Sequence, residues 1–113
     1  MPDITIIPSD EFRRQTKRLA KKYRSLAKDL LTLQELLQDN PYAGTDLGDG
    51  KRKIRLNIQS KGKGKRGGMR VITFNVVKKE TSITIYLITL YDKSEYENVS
   101  DKYVDQIIKH LDK

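Results

Sequence analysis

The sequence predicts an α+β domain in which a small antiparallel sheet packs against an N-terminal helical hairpin. The elements follow the order β-α-α-β-β-β-α. Two observations carry this. Apolar residues recur every three or four positions from Phe12 to Leu37, then every second position from Ile54 onward. The two regimes meet at Asn40-Pro41 and a stretch punctuated by Gly44, Gly48 and Gly50, which reads as loop or turn. The chain has 113 residues, so 1–113 is expected to be one domain. A chain of this size buries roughly 60–68% of the surface its unfolded form exposes, enough for one modest core.

Ile4 to Ile7 is a β-branched run closed by Pro8, which predicts a first strand over 3–7. Ser9 is placed to cap a helix, and Asp10 and Glu11 suit the positive end of its dipole. Phe12, Thr16, Leu19 and Tyr23 form one helical stripe, and Leu26, Leu30, Leu33 and Leu37 form the next. Ala27, Leu31 and Leu36 widen the second stripe toward full burial. Ser25 between them favours a hairpin over one long bent helix. In the second half, Ile54, Leu56 and Ile58 alternate with polar residues, as in a half-buried strand. Met69 to Val77 alternates likewise, and the more apolar Ile83 to Tyr91 reads as a central strand. The segment SKGKGKRGG over 60–68 has too many glycines and cations to join a core and reads as a mobile tip. Ser94 or Ser100 can cap a terminal helix whose stripe is Val104, Ile107, Ile108 and Leu111. His110 lies outside that stripe near the helix end, where a cation suits the dipole.

Composition narrows the chemistry. Absent Cys and a single His exclude disulfides, thiolate or paired-histidine metal sites and cysteine nucleophiles. No metal or other cofactor is expected. No apolar run approaches the roughly 20 residues of a membrane span, and MPDITII has no basic region leading into an apolar stretch. The expectation is a cytoplasmic protein without membrane contact. The net charge of +8 is unevenly placed: 13–28 holds eight cations and no acid, and 51–70 holds nine cations and no acid. The rest of the chain has 6 basic and 15 acidic residues. Two cationic segments on an acidic background favour a polyanion partner, although many lysines on a helix need no ligand. The glycine–lysine loop is no nucleotide-triphosphate cradle, because KGKGKRGG lacks the terminal hydroxyl residue and runs into a strand.

Lys53 and Arg55 are two apart on a strand and share a face. Arg70 opens the next strand, and Tyr91, Asp92 and Lys93 end the last one. Antiparallel pairing would gather these cations into one patch. Such a patch can hold a phosphate backbone and the extra charge of a phosphorane. Tyr, or a lysine crowded by like charge, could take a 2′-hydroxyl proton. That is RNA cleavage without a metal, and DNA is inert to it. The competing interpretation is the charged outer face of an ordinary sheet.

The segments KRKIRL (51–56), SKGKGKRGGMRVITF (60–74) and IYLITLYDKSEYENVS (85–100) resemble the RelE/ParE family of bacterial toxins, in particular its RelE-like and HigB-like ribonucleases. The strand and helical hairpin before them match that family's layout, so the likeness covers nearly the whole chain. The resemblance implies a RelE-like fold, cleavage of translated messenger RNA on the ribosome, and neutralisation by a cognate antitoxin. It also implies binding of operator DNA only as a toxin–antitoxin complex. Its catalytic positions fall on Lys53, Arg55, Arg70, Tyr91 and Lys93. Arg55 and Arg70 take phosphate and transition-state charge, since arginine keeps its proton and forks onto phosphate. Lys53, Lys93 and Tyr91 are the candidates for proton transfer. The chain departs from the family pattern after the last strand, where arginines are replaced by Tyr91, Asp92 and Lys93, with Tyr96 close behind. Lys51, Arg52, Lys61, Lys63, Lys65 and Arg66 are expected to bind RNA. The alternative is a non-catalytic or ParE-like toxin that acts on a topoisomerase through protein binding and co-represses its own promoter.

Overall fold

The computed structural model describes residues 3–62, 64 and 67–111. Among them the order is β1 (Asp3–Pro8), α1 (Asp10–Ala20), α2 (Leu26–Asp39), β2 (Thr45–Gly48), β3 (Lys51–Leu56), a 3₁₀ turn (Gln59–Lys61), β4 (Met69–Lys79), β5 (Ser82–Asp92) and α3 (Asp101–Lys109). The α+β class holds. The sheet has five strands in the order β1-β5-β4-β3-β2. Two features differ from expectation. The glycine-rich stretch after α2 contains a strand, β2, fully exposed and paired only at the sheet edge. And the sheet is mixed: β1 runs parallel to β5, with Ile4 opposite Ile83 and Ile6 opposite Ile85. Parallel neighbours need a long crossover, and everything from α1 to β4 lies between these two strands in the chain. The other pairs are antiparallel.

Ser9 caps α1 by accepting from the Phe12 amide at 2.9 Å. Ser100 caps α3 by accepting from the Tyr103 amide at 3.1 Å. α1 and α2 bury Phe12, Leu19, Leu26, Leu33 and Leu37 against one sheet face, formed by residues such as Ile54, Val71, Ile85 and Leu90. α3 covers part of the other face, with Val104, Ile107 and Ile108 against Ile72, Tyr86 and Ile88. The expected widening of the α2 stripe does not occur. Ala27 is exposed, and Leu31 and Leu36 are 57% and 43% exposed, because a helix lying on one sheet buries a single stripe. Among the described residues, no helix is long and apolar enough to cross a membrane.

A bulge in β5 decides what faces where. Ile72 pairs with Thr89 but Thr73 pairs with Leu87, so Ile88 is the extra residue. Ser9 Oγ, itself buried, donates to the Ile88 carbonyl at 2.6 Å. Before the bulge, Ile83, Ile85 and Leu87 face the helical hairpin. Beyond it the alternation is inverted: Leu90 faces the hairpin and Tyr91 faces α3. Bulges re-aim side chains in this way.

Gly44 seats β2 beside β3. Its φ of +95° is left-handed, and a β-carbon there would overlap the Lys53 carbonyl oxygen and lie 2.8 Å from Ile54 Cγ1. Gly44→Ala should therefore destabilise the fold by about 2 kcal/mol or more, from backbone strain plus overpacking. Urea unfolding checks this, and an unchanged midpoint would contradict the close approach.

Candidate functional site

The register of the sheet brings the predicted residues together. Arg55 lies directly opposite Arg70 across β3 and β4. Arg70 lies directly opposite Tyr91 across β4 and β5. The three form one transverse row over three strands, on the sheet face that α3 leaves open at this end. Lys53 is one step along on the same face, opposite Ile72. A concavity of about 320 Å³ opens over Arg55 and Arg70, lined also by Thr45, Lys53, Lys93, Glu97 and Asn98. Four of the five predicted catalytic residues thus share one depression.

Each has a definite setting. Arg70 is only 7% exposed, and its Nη1 donates to the Met69 carbonyl at 3.3 Å. Arg55 is exposed and makes no hydrogen bond or ion pair among the described residues. Two cations directly opposite one another destabilise a sheet, and an anion bound between them would relieve that. Lys53 Nζ donates to Asn98 Oδ1 at 2.8 Å, which turns it over the row. Lys93 Nζ approaches the Glu97 carbonyl at 3.4 Å.

Tyr91 is the exception. It is 3% exposed and is absent from the concavity's lining. Burial pushes its hydroxyl above the usual tyrosine value, and the Arg70 charge opposes this only in part. The hydroxyl is buried and has no hydrogen-bond partner among the described residues. An unsatisfied buried hydroxyl costs about 1–3 kcal/mol. Tyr91 keeps its proton at neutral pH and backs Arg70 rather than reaching a substrate over the row.

The predicted RNA-binding cations are mostly engaged elsewhere. Lys51 Nζ bridges to Asp105 Oδ1 at 2.9 Å, tying β3 to α3, and Asp105 holds its pKa above the usual lysine value despite some burial. Arg52 donates to the Ala43 and Gly44 carbonyls, at 3.2 and 2.9 Å. Lys61 is not on a mobile tip. It sits in the 3₁₀ turn, and its Nζ lies 2.6 Å from Asp92 Oδ1, with the two side chains 5% and 0% exposed. Tyr23 donates to the other Asp92 oxygen, and the Ser94 amide and hydroxyl donate to Oδ1 at 2.9 and 2.7 Å. Burial alone would raise the Asp92 pKa, but these donors outweigh it and hold the carboxyl well below the usual range. The remaining expected RNA contacts, Lys63, Lys65 and Arg66, lie outside the described residues.

Sequence reasoning missed Thr45, Glu97 and Asn98. Thr45 belongs to the unforeseen β2. Glu97 and Asn98 come from the segment between β5 and α3, whose path no periodicity announces. Among the described lining residues, Glu97 is the one acid. His110 is exposed at the end of α3, with Nδ1 2.8 Å from the Gln106 carbonyl, remote from this site. Among the described residues, no group of three or more His, Cys, Asp or Glu side chains is placed to hold a metal ion. No protein-family model matches the chain.

Proposed function

We propose that the protein is a toxin of the RelE/ParE kind, a ribosome-dependent, metal-independent endoribonuclease that cleaves translated messenger RNA in the cytoplasm and is held in check by a cognate antitoxin. The observation that carries this reading is Arg55 directly opposite Arg70 beneath one concavity, with Lys53 and Lys93 at its sides. A depression lined by Lys53, Arg55, Arg70 and Lys93 with Glu97 the one acid among the described lining residues suits a ligand with concentrated negative charge.

In this reading the scissile phosphate sits over Arg55 and Arg70. The ribose 2′-oxygen attacks the adjacent phosphorus and the P–O5′ bond breaks, leaving a 2′,3′-cyclic phosphate and a 5′-hydroxyl. The 2′-hydroxyl proton passes to the Glu97 carboxylate, or to Lys53 or Lys93 in its neutral form, and a lysine of the pair in its ammonium form gives a proton to the departing 5′ oxygen; all three line the concavity. The two guanidinium groups stabilise the charge that builds on the phosphorane oxygens. An open concavity on a domain this small leaves the rest of the substrate site to the ribosome. The antitoxin supplies a segment that covers this face, and the complex binds operator DNA.

Translation in a cell-free extract tests the reading. Cuts are expected in translated message and not in untranslated message, with cyclic-phosphate ends. A 2′-deoxy nucleotide at the cut position should abolish the cut. Intact message together with arrested replication would sink the ribonuclease and favour the topoisomerase-directed alternative.

A further inference from the structure

The chain that leaves β5, residues 92–98, is tied down along its length. The Ser94 amide and hydroxyl donate to Asp92 Oδ1 at 2.9 and 2.7 Å. Arg18 of α1 holds both oxygens of Glu95, Nη1 to Oε2 and Nη2 to Oε1, each at 3.2 Å. Lys93 Nζ donates to the Glu97 carbonyl at 3.4 Å, and Lys53 Nζ donates to Asn98 Oδ1 at 2.8 Å. Glu97 is therefore anchored through its own backbone and through its neighbour, and it lines the depression over Arg55 and Arg70.

This segment carries three acids, and they are used unequally. Asp92 is buried against Lys61. Glu95 is paired with Arg18. The Glu97 carboxylate is exposed and makes no ion pair or hydrogen bond among the described residues, although four cations line the same depression. Its lone pairs are open to a ligand.

We propose that Glu97 is the general base of the site, the group that takes the 2′-hydroxyl proton. The proposal rests on the ribonuclease reading and chooses among its three candidate acceptors. A lysine ammonium has three donors and no lone pair, so it accepts a proton only after giving one up. Lys53 and Lys93 already spend donors on the segment that carries Glu97, which makes them its anchors. A carboxylate needs no prior deprotonation at neutral pH. As the 2′ oxygen bonds to phosphorus, its proton moves to a Glu97 carboxylate oxygen. As the P–O5′ bond breaks, the 5′ oxygen takes a proton from the ammonium of Lys53 or Lys93. Glu97 ends as the acid and that lysine as the amine, and exchange with solvent restores both. With four cations to one carboxylate among the described lining residues, the depression stays positive enough to hold the phosphate.

The test uses the full chain in single-turnover cleavage on programmed ribosomes. Glu97→Ala should cut about 10²–10⁴-fold more slowly, the usual contribution of a general base, with an unchanged melting temperature because the side chain is exposed and unpaired. Glu97→Asp should recover part of the rate. Added formate, a carboxylate small enough for the vacated space, should raise the Glu97→Ala rate in proportion to its concentration and leave the wild-type rate alone. A message with sulfur in place of the scissile 5′ oxygen separates base from acid, because a thiolate leaves without a proton. Glu97→Ala should stay slow on that message. An Ala variant that cuts at the wild-type rate, a loss that formate does not touch, or rescue by the sulfur would each overturn the assignment while the wild-type protein still cuts. A wild-type protein that cuts no translated message would overturn the ribonuclease reading, and the assignment with it.

Discussion

Arg70→Ala will reduce message cleavage by about 10²-fold or more, the usual cost of removing a donor aimed at transition-state charge. Arg70 occupies the middle of the cationic row, between Arg55 and Tyr91, and is nearly buried, so its guanidinium has a fixed aim. Arg55 is exposed, spends its charge partly on water, and should cost less when replaced. Arg70→Lys should recover part of the loss, since lysine keeps the charge but not the planar fork. Because Arg70 is 7% exposed and donates to the Met69 carbonyl, its truncation also costs packing, so rates are compared at a temperature where both proteins are folded. Lys78→Ala, at the exposed far end of β4, is the control and should cut at the normal rate. The measurement is the single-turnover cleavage rate on programmed ribosomes, beside a thermal melt. A fully active Arg70→Ala protein would remove the row from the mechanism.

Much of this site was legible because it depends on strand period and register. Lys53 and Arg55 had to share a face, and an antiparallel partner opening at Arg70 had to bring the three together. Tyr91 was not legible in the same way. A plain alternation from Ile83 would aim Tyr91 at the helical hairpin and Asp92 at the open face. The bulge at Ile88 inverts both, and nothing in an unbroken apolar run marks where such an extra residue falls. β2 escaped for a different reason. Its four residues TDLG are exposed, so they leave no hydrophobic pattern, and the strand exists through its edge pairing with β3. The 3₁₀ turn was hidden by composition. SKGKGK reads as mobile, yet Ser60 bonds Ser25, the Gln59 amide bonds Asp29, and Lys61 is drawn into the core by an acid thirty-one residues away. Long-range partners of single polar residues leave no local signature.

That last contact predicts the largest loss of stability. Asp92→Ala should destabilise the protein by about 3–5 kcal/mol, the range for breaking a buried ion pair from one side, which lowers the melting temperature by roughly 10–20 °C in a domain of this size. The Lys61 ammonium would be left in a nearly closed site, over the Tyr23 ring at 5.4 Å, with no carboxylate to answer it. Removing both charges together, as Lys61→Met with Asp92→Asn, should return most of the loss, because the desolvation of both ions disappears with them. The pH dependence follows from the direction of the shift. The folded Asp92 carboxyl is held well below its unfolded value by Lys61, Tyr23 and Ser94, against the effect of burial. Its contribution is therefore complete above the unfolded value near pH 4 and is lost as pH falls below about 4 toward the folded value. The wild-type protein should lose stability over that acid range more steeply than the double variant. Parallel curves would show that the carboxyl is not the titrating group. The clasp also reaches the site, because Asp92 fixes the Ser94 turn next to Lys93 while Lys61 ties down the start of the glycine–lysine segment. Asp92→Asn should thus slow cleavage even at temperatures where it stays folded.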